Sequence, residues 1–210
     1  MSLSKRLEAV ATLVDIGKRV IDVGCDHAYL DIYLTNNNEN TCIATDINKS
    51  AIEIAKKNIK EHKLEDKIQT VLTDGLTNID VKKDDNIVIS GMGTHTILHI
   101  LNTNSLSNTL IISSNNDINI LREEVIKLGY KIDSEIFLYD KGKPYIIIKF
   151  IKGYKKYNKK DINLGPILKN NIEYKRYLIK KYNKIINNIP KIKIFIRAKY
   201  GIKILLLKIF

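Results

Sequence analysis

Cysteine is scarce in this chain: Cys25 and Cys42 are the only two among 210 residues. That count excludes a disulfide framework, and two free thiols in a cytoplasmic protein are expected. No apolar run approaches the roughly 20 residues that a bilayer span needs, so no membrane segment is expected. An apolar leader with a cleavage site is also missing, which points away from secretion. So is the three-glycine fingerprint that cradles a pyrophosphate, which sets aside the usual dinucleotide cofactors. A chain of this length suits one full domain plus an appendage.

Acidic residues are scarce in one part only. The formal net charge is +12, yet residues 151–210 hold 17 Lys or Arg against only Asp161 and Glu173. Residues 1–150 hold 18 basic and 21 acidic residues. The chain is rich in Lys, Asn and Ile, but a global coding bias would act on both parts alike. The asymmetry divides it into a near-neutral body, residues 1–152, and a basic appendage, residues 153–210. Tyr154, Tyr157, Tyr174, Tyr177, Tyr182 and Tyr200 interleave with the cations, a pattern that fits a nucleic acid. A solvated helical face is the plainer alternative. The candidate contacts in the appendage are Lys155, Lys156, Lys159, Lys160, Lys175, Arg176, Lys180 and Lys181.

The run Val20-Ile-Asp-Val-Gly-Cys-Asp-His-Ala-Tyr-Leu30 carries the most information. A β-branched strand breaks at Gly24 and passes through a polar loop toward a helix near Ala28, as in a nucleoside-binding α/β unit. Cys42 to Thr45 reads as a second strand, and Asp46 at its carboxyl end is placed to accept both ribose hydroxyls. Asp74 and Gly75 follow a third strand, Ile68–Leu72. Strand-end acids and glycines without a phosphate fingerprint suit S-adenosyl-L-methionine. Asp22 is expected to orient the loop through backbone hydrogen bonds rather than touch the cofactor.

The remaining body alternates strand and helix. Helices are expected at Leu3–Val14, Ala28–Leu34 and Lys49–His62, the last with Ala51, Ile52, Ile54, Ala55 and Ile59 on its apolar face. Strand Asn86–Ser90 ends at Gly91, a helix carries Ile97, Leu98, Ile100 and Leu101, and strand Leu110–Ser113 precedes helix Ile118–Leu128. Lys131–Tyr139 and Tyr145–Ile151 flank a hairpin loop and make antiparallel edge strands. The result is an α/β fold with seven strands, doubly wound. In the appendage, Leu164-Gly165-Pro166 reads as a helix start, with the helix running to about Asn188 before Pro190 breaks it. Lys191 to Phe210 shows no clear period, and its apolar finish, Ile204–Leu207, is expected to be partly exposed.

Ser4-Lys5-Arg6-Leu7, Gly24-x-Asp26-His27-Ala28-Tyr29-Leu30, Asp74-Gly75-Leu76 and Gly91-Met92-Gly93 together resemble the bacterial tRNA adenine-N1 methyltransferases that act at position 22. The resemblance continues in order through Ile97-x-x-Ile100-Leu101, Asn115, Arg122-Glu123, Gly142-Lys143-x-Tyr145 and Leu164-Gly165-Pro166. Thr94 stands where the family usually has Gly, Ser113-Ser114 where Gln-Pro is common, and Asp46 where some members have Glu. The resemblance implies a Rossmann-like S-adenosylmethionine-dependent methyltransferase sheet with its last hairpin antiparallel and a basic, coiled-coil-like helical appendage. It implies a tRNA partner, no metal, and a cytoplasmic protein for which a monomer is favoured. Cofactor contacts are then expected from Gly24, Asp26, His27, Asp46, Ile47, Asp74, Gly75, Gly91 and Met92, with RNA contacts added at Lys5, Arg6 and Lys143.

Tyr29 and Asp26 are the candidate catalytic residues. Tyr29 stands where a methyl acceptor must lie, although a buried helix tyrosine is the commoner case. Two roles are open to Asp26: holding the methionine ammonium, or stabilising the cationic product and accepting a proton. His27 is either a general base or a backbone lining. His95 and His99 lie four apart on a helix, but no Glu follows His95 and no third metal ligand is evident. Ser90-Gly91-Met92-Gly93 stands where exocyclic-amine methylases carry an Asn-Pro-Pro-Tyr loop. The alternatives are a methyltransferase with another acceptor, or a non-catalytic RNA-binding protein with a degenerate cofactor fold.

Overall fold

The computed structural model describes residues 3–104 and 106–209. Seven strands form one sheet: β1 (Arg19–Val23), β2 (Thr41–Asp46), β3 (Ile68–Leu72), β4 (Asn86–Met92), β5 (Thr109–Ser114), β6 (Tyr130–Asp140) and β7 (Lys143–Lys152). Their order is β3-β2-β1-β4-β5-β7-β6. The first five are parallel, whereas β7 runs antiparallel to both β5 and β6. Central strands such as Val20–Val23 are buried on both faces, which is why they read as unbroken apolar runs. Between β6 and β7 only Lys141 and Gly142 turn the chain, both with positive φ (48° and 76°), and Asp140 pairs with Lys143 across this two-residue loop.

Helices α1 (Lys5–Ala11), α2 (Tyr29–Asn38) and α3 (Lys49–Glu61) cover one face, and α4 (Thr94–Asn102) and α5 (Ile118–Lys127) the other. Ser4 caps α1, its hydroxyl accepting the Leu7 N–H at 3.3 Å. That helix is shorter than the expected Leu3–Val14, because the chain turns after Ala11. On α3 the buried stripe is Ile52, Ala55 and Ile59, while Ile54 faces outward.

The appendage corrects one expectation. Leu164-Gly165-Pro166 ends a helix rather than starting one: α6 (Lys159–Leu164) is opened by a reciprocal Asn158–Asp161 capping box and closed by Gly165. Gly165 has φ +85°, and a Cβ there would lie 2.5 Å from the Glu135 carboxylate. A 3₁₀ turn at Leu168–Asn170 follows, and Asn171 caps α7 (Ile172–Asn188). The stretch with no clear period folds as α8 (Ile194–Ile209). It returns antiparallel: Arg197 donates to the Ile186 and Ile189 carbonyls, Tyr200 meets Tyr182, and Leu207 reaches back to Tyr174 and Leu178. Leu205 and Leu206 are exposed, as expected, but Leu207 is buried.

At the root of the appendage, Arg122 of α5 and Glu135 of β6 form a fully buried ion pair, Nε to Oε1 at 2.8 Å. The other Glu135 oxygen accepts the Ile167 and Leu168 N–H groups, and Arg122 donates to the Ile162 carbonyl. Phe137, Leu168, Tyr174, Leu178 and Leu207 pack beside this pair as a third small core.

Candidate functional site

The strand order reverses direction between β1 and β4, and at such a switch point a crevice opens at the strand carboxyl ends. Two adjoining chambers occupy it. The larger, about 470 Å³, is lined by Gly24, Asp46, Ile47, Asp74, Gly75 and Met92 among others. The smaller, about 60 Å³, lies under His27 and Tyr29 and is floored by Asp22. Arg6, Gly24, Asp26 and Ser90 border both.

The β1–α2 loop owes its shape to alternating left-handed residues, Gly24 (φ 82°), Asp26 (52°) and Ala28 (57°). The Gly24 and Cys25 N–H groups donate to the Thr45 carbonyl at 2.8 and 2.9 Å, which ties the loop to β2. Glycine suits position 24 because of its φ of 82°, which L side chains rarely adopt, and a Cβ there would also displace the Met92 methyl, 2.5 Å away. Gly91 has φ 93° at a register break in β4 and brings the backbone close to Arg6.

Asp46 is nearly buried, with one carboxylate oxygen accepting the Asn48 N–H at 2.8 Å and the other the Asp26 N–H at 3.3 Å. Two oxygens offer about four acceptor sites, so capacity remains for a diol in the larger chamber. Asp26 projects outward, 77% exposed, with its carboxylate 3.4 Å from His27 Nε2. His27 in turn stacks on Tyr29, ring centroids 5.5 Å apart and 18° from parallel, and Tyr29 is 41% exposed.

Beneath the loop, burial pushes the Asp22 carboxyl well above its usual range, helped by the neighbouring Asp31 charge. Burial likewise moves the Asp31 carboxyl up to about 7, and both of its oxygens are buried without a hydrogen-bond partner. The Cys25 and Cys42 thiols are free, buried and pushed upward by burial, which leaves neither a nucleophile. The Asp22 carbonyl accepts the Thr45 hydroxyl, which ties β1 to β2 rather than orienting the loop, while its side chain reaches the smaller chamber.

All nine expected cofactor residues border the two chambers. The expected RNA contacts divide differently. Lys5 and Lys143 are exposed but line neither chamber, and Lys155, Lys156, Lys159, Lys160, Arg176, Lys180 and Lys181 are exposed on the appendage, with Lys175 half-buried. Arg6 stands apart from them. Its Nη1 donates to the Ser90 hydroxyl at 2.9 Å and its guanidinium lies over the Tyr145 ring, inside the cleft wall. Sequence reasoning missed this place for Arg6, along with Thr45, Thr73, Ser90 and Thr96. Thr45 and Ser90 are polar residues at strand ends, and that was the available signal. Among the described residues no group of three or more His, Cys, Asp or Glu is arranged to hold a metal.

Asp46→Ala tests the diol assignment. It is expected to weaken S-adenosylmethionine binding by about 1–3 kcal/mol in a protein that remains folded. Calorimetry returning the wild-type affinity would refute it.

Comparison with known proteins agrees with this geometry. A family model described as "Methyltransferase domain" matches residues 3–148. The tRNA (adenine(22)-N(1))-methyltransferase of Bacillus subtilis is 33% identical over 70% of this chain, an alignment spanning 64% of that relative's length. The structure of M. capricolum TrmK in complex with S-adenosyl-homocysteine superposes with a TM-score of 0.85 at 32% identity, covering 99% of this chain and 97% of that one. The crystal structure of the B. subtilis M1A22 tRNA methyltransferase TrmK gives a TM-score of 0.82 at 27% identity, with 99% and 97% covered. A seven-stranded sheet with a crevice at its strand carboxyl ends, a matching methyltransferase domain and full-length structural likeness place the chain in the TrmK family of tRNA adenine-N1 methyltransferases.

Proposed function

We propose that the protein transfers a methyl group from S-adenosyl-L-methionine to N1 of adenine 22 in tRNA. The observation that carries this reading is the crevice itself: Asp46 and the Gly24 loop frame a nucleoside site, and the exposed Tyr29 stands at its mouth. When bound, S-adenosylmethionine supplies an electrophilic methyl on a sulfonium. Asp46 takes the ribose hydroxyls. Arg6, the one Lys or Arg among the described residues lining the chambers, suits the methionine carboxylate, and Asp22 suits its ammonium.

Neutral adenine N1 carries its own lone pair, so no covalent enzyme intermediate is needed. The residues must align N1 with the methyl, and such orientation can contribute up to roughly 7–11 kcal/mol. Tyr29, backed by His27, is the surface on which an unstacked adenine rests. Asp26 at the mouth stabilises the positive charge that the base acquires, or accepts its exocyclic proton.

Residues 1–152 act as the cofactor unit and 153–210 as a tRNA-binding appendage anchored by Arg122 and Glu135. A tRNA substrate implies a cytoplasmic protein, and the protein is taken to act as a monomer. No helix among the described residues is long and apolar enough to cross a membrane. Incubation with unmodified tRNA and labelled cofactor, followed by nucleoside analysis, tests the function. It should yield 1-methyladenosine, and an adenine-22-to-guanine transcript should yield none.

Tyr29→Ala is expected to lose about 1–3 kcal/mol of base stacking with cofactor affinity near wild type, whereas Tyr29→Phe should retain most activity. Steady-state kinetics with tRNA checks this, and a Phe variant as inactive as Ala would assign the role to the hydroxyl.

A further inference from the structure

We propose that the groove between the β5–α5 loop and α7 is a subsite for one nucleotide of the tRNA strand flanking the target adenosine. The inference rests on the tRNA reading above. The groove has a volume of about 180 Å³, room for a planar base. One wall is the polar segment Ser114–Asn119, the other is Tyr177, Lys181 and Tyr182 of α7, and Phe137 and Tyr174 lie between them.

Three features point to a nucleotide. The first is position. Asn115 donates its side-chain amide to the Gly91 carbonyl at 2.6 Å and its backbone N–H to the Met92 carbonyl at 2.9 Å. The groove wall is therefore stitched to the cofactor crevice, and a strand leaving that crevice meets the groove next.

The second is edge chemistry. Asn116 is held by accepting the Thr94 N–H and donating to the Asp117 carboxylate, and Asn119 lies exposed farther along the wall. Amide and carboxylate groups fixed this way match the mixed donors and acceptors of a base edge, and a carboxylate suits an exocyclic amine. Aromatic rings on the opposite side provide the stacking surface that every base tolerates.

The third is charge. Lys181 stands at the rim, and Arg176, Lys180 and Lys184 continue along α7 as exposed cations, the spacing a phosphate backbone needs. Base recognition in the groove would fix the register of the strand, while the cations alone would only hold it.

The test compares full-length protein variants, using an unmodified tRNA transcript as probe. Asn119→Ala combined with Lys181→Glu is expected to weaken tRNA binding about tenfold or more, with S-adenosylmethionine affinity and melting temperature unchanged. Lys60→Glu on α3, at the opposite edge of the sheet, makes the same charge change and should cost much less. A 4-thiouridine placed beside the target adenosine should crosslink within residues 114–119 or 174–182. Equal losses from the two charge reversals, or an unchanged double variant, would overturn the subsite while leaving the methyltransferase reading intact. Failure of the wild-type protein to bind tRNA would overturn both.

Discussion

Glu135→Ala is expected to lower the unfolding free energy by about 3–5 kcal/mol, because it leaves the Arg122 guanidinium charged and unpaired in a dry interior. Both side chains are fully buried, and Glu135 also accepts the Ile167 and Leu168 N–H groups that lead into α7. The guanidinium loses its counter-charge, keeping only the Ile162 carbonyl, and both N–H groups are orphaned at once. Denaturant unfolding followed by circular dichroism measures the effect, and a change below about 1 kcal/mol would mean that water reaches the pair. Replacing both partners, Arg122→Met with Glu135→Leu, should recover much of the stability, since the isolated charge is then gone. The folded fraction of Glu135→Ala should bind S-adenosylmethionine yet fail to hold tRNA, because the pair lies away from the crevice but at the root of the appendage.

The second large effect concerns salt. Neutralising Lys155, Lys156, Lys159, Lys180 and Lys181 to Gln should reduce the slope of log affinity against log salt by about 0.7–0.9 for each phosphate no longer neutralised. With one phosphate per lysine, the slope should shrink by between roughly 3 and 5, and tRNA binding should weaken by orders of magnitude at low salt. All five side chains are exposed, so stability should hold. Filter binding across a salt series checks this. An unchanged slope would make the basic appendage a compositional accident of a Lys-rich chain. Deleting the appendage at Ile151 is a poorer test, since it also strips Leu168, Tyr174 and Leu178 from Phe137.

Strand β3 matches its expected span, Ile68–Leu72, and the crevice residues are legible because each sits where an apolar run stops at Gly or Asp. Short-range patterns of that kind are written locally. Arg6 is not legible in the same way. On α1 it looks like any surface cation beside Lys5, and only the packing of α1 against the β6–β7 hairpin, where Asp140 accepts its N–H and Tyr145 lies under its guanidinium, brings it within 2.9 Å of Ser90. Gly165-Pro166 misleads for a related reason. Proline is compatible with a helix start, but what forbids a side chain at 165 is the Glu135 carboxylate, thirty residues earlier in the chain. The local signal for the true helix start is the Asn158–Asp161 capping box. The period of α8 is obscured because its outer face stays apolar, with Phe195, Ile202 and Leu205 exposed.

The α7–α8 hairpin is fixed at one end only. Tyr174, Leu178 and Leu207 are clamped against the body, while the connection at residues 189–193 lies a helix length away, about 26 Å for the seventeen residues of α7. A beam held at its root gives accuracy near the support and compliance at the tip. On the proposed tRNA reading, the root is then the part that sets the register of a bound strand. The tip can ride over whatever curvature a folded RNA presents, asking nothing of it but negative charge. Exchanging Lys for Arg at the tip should then go unnoticed, whereas one methyl group added at Gly165 would tilt the whole beam.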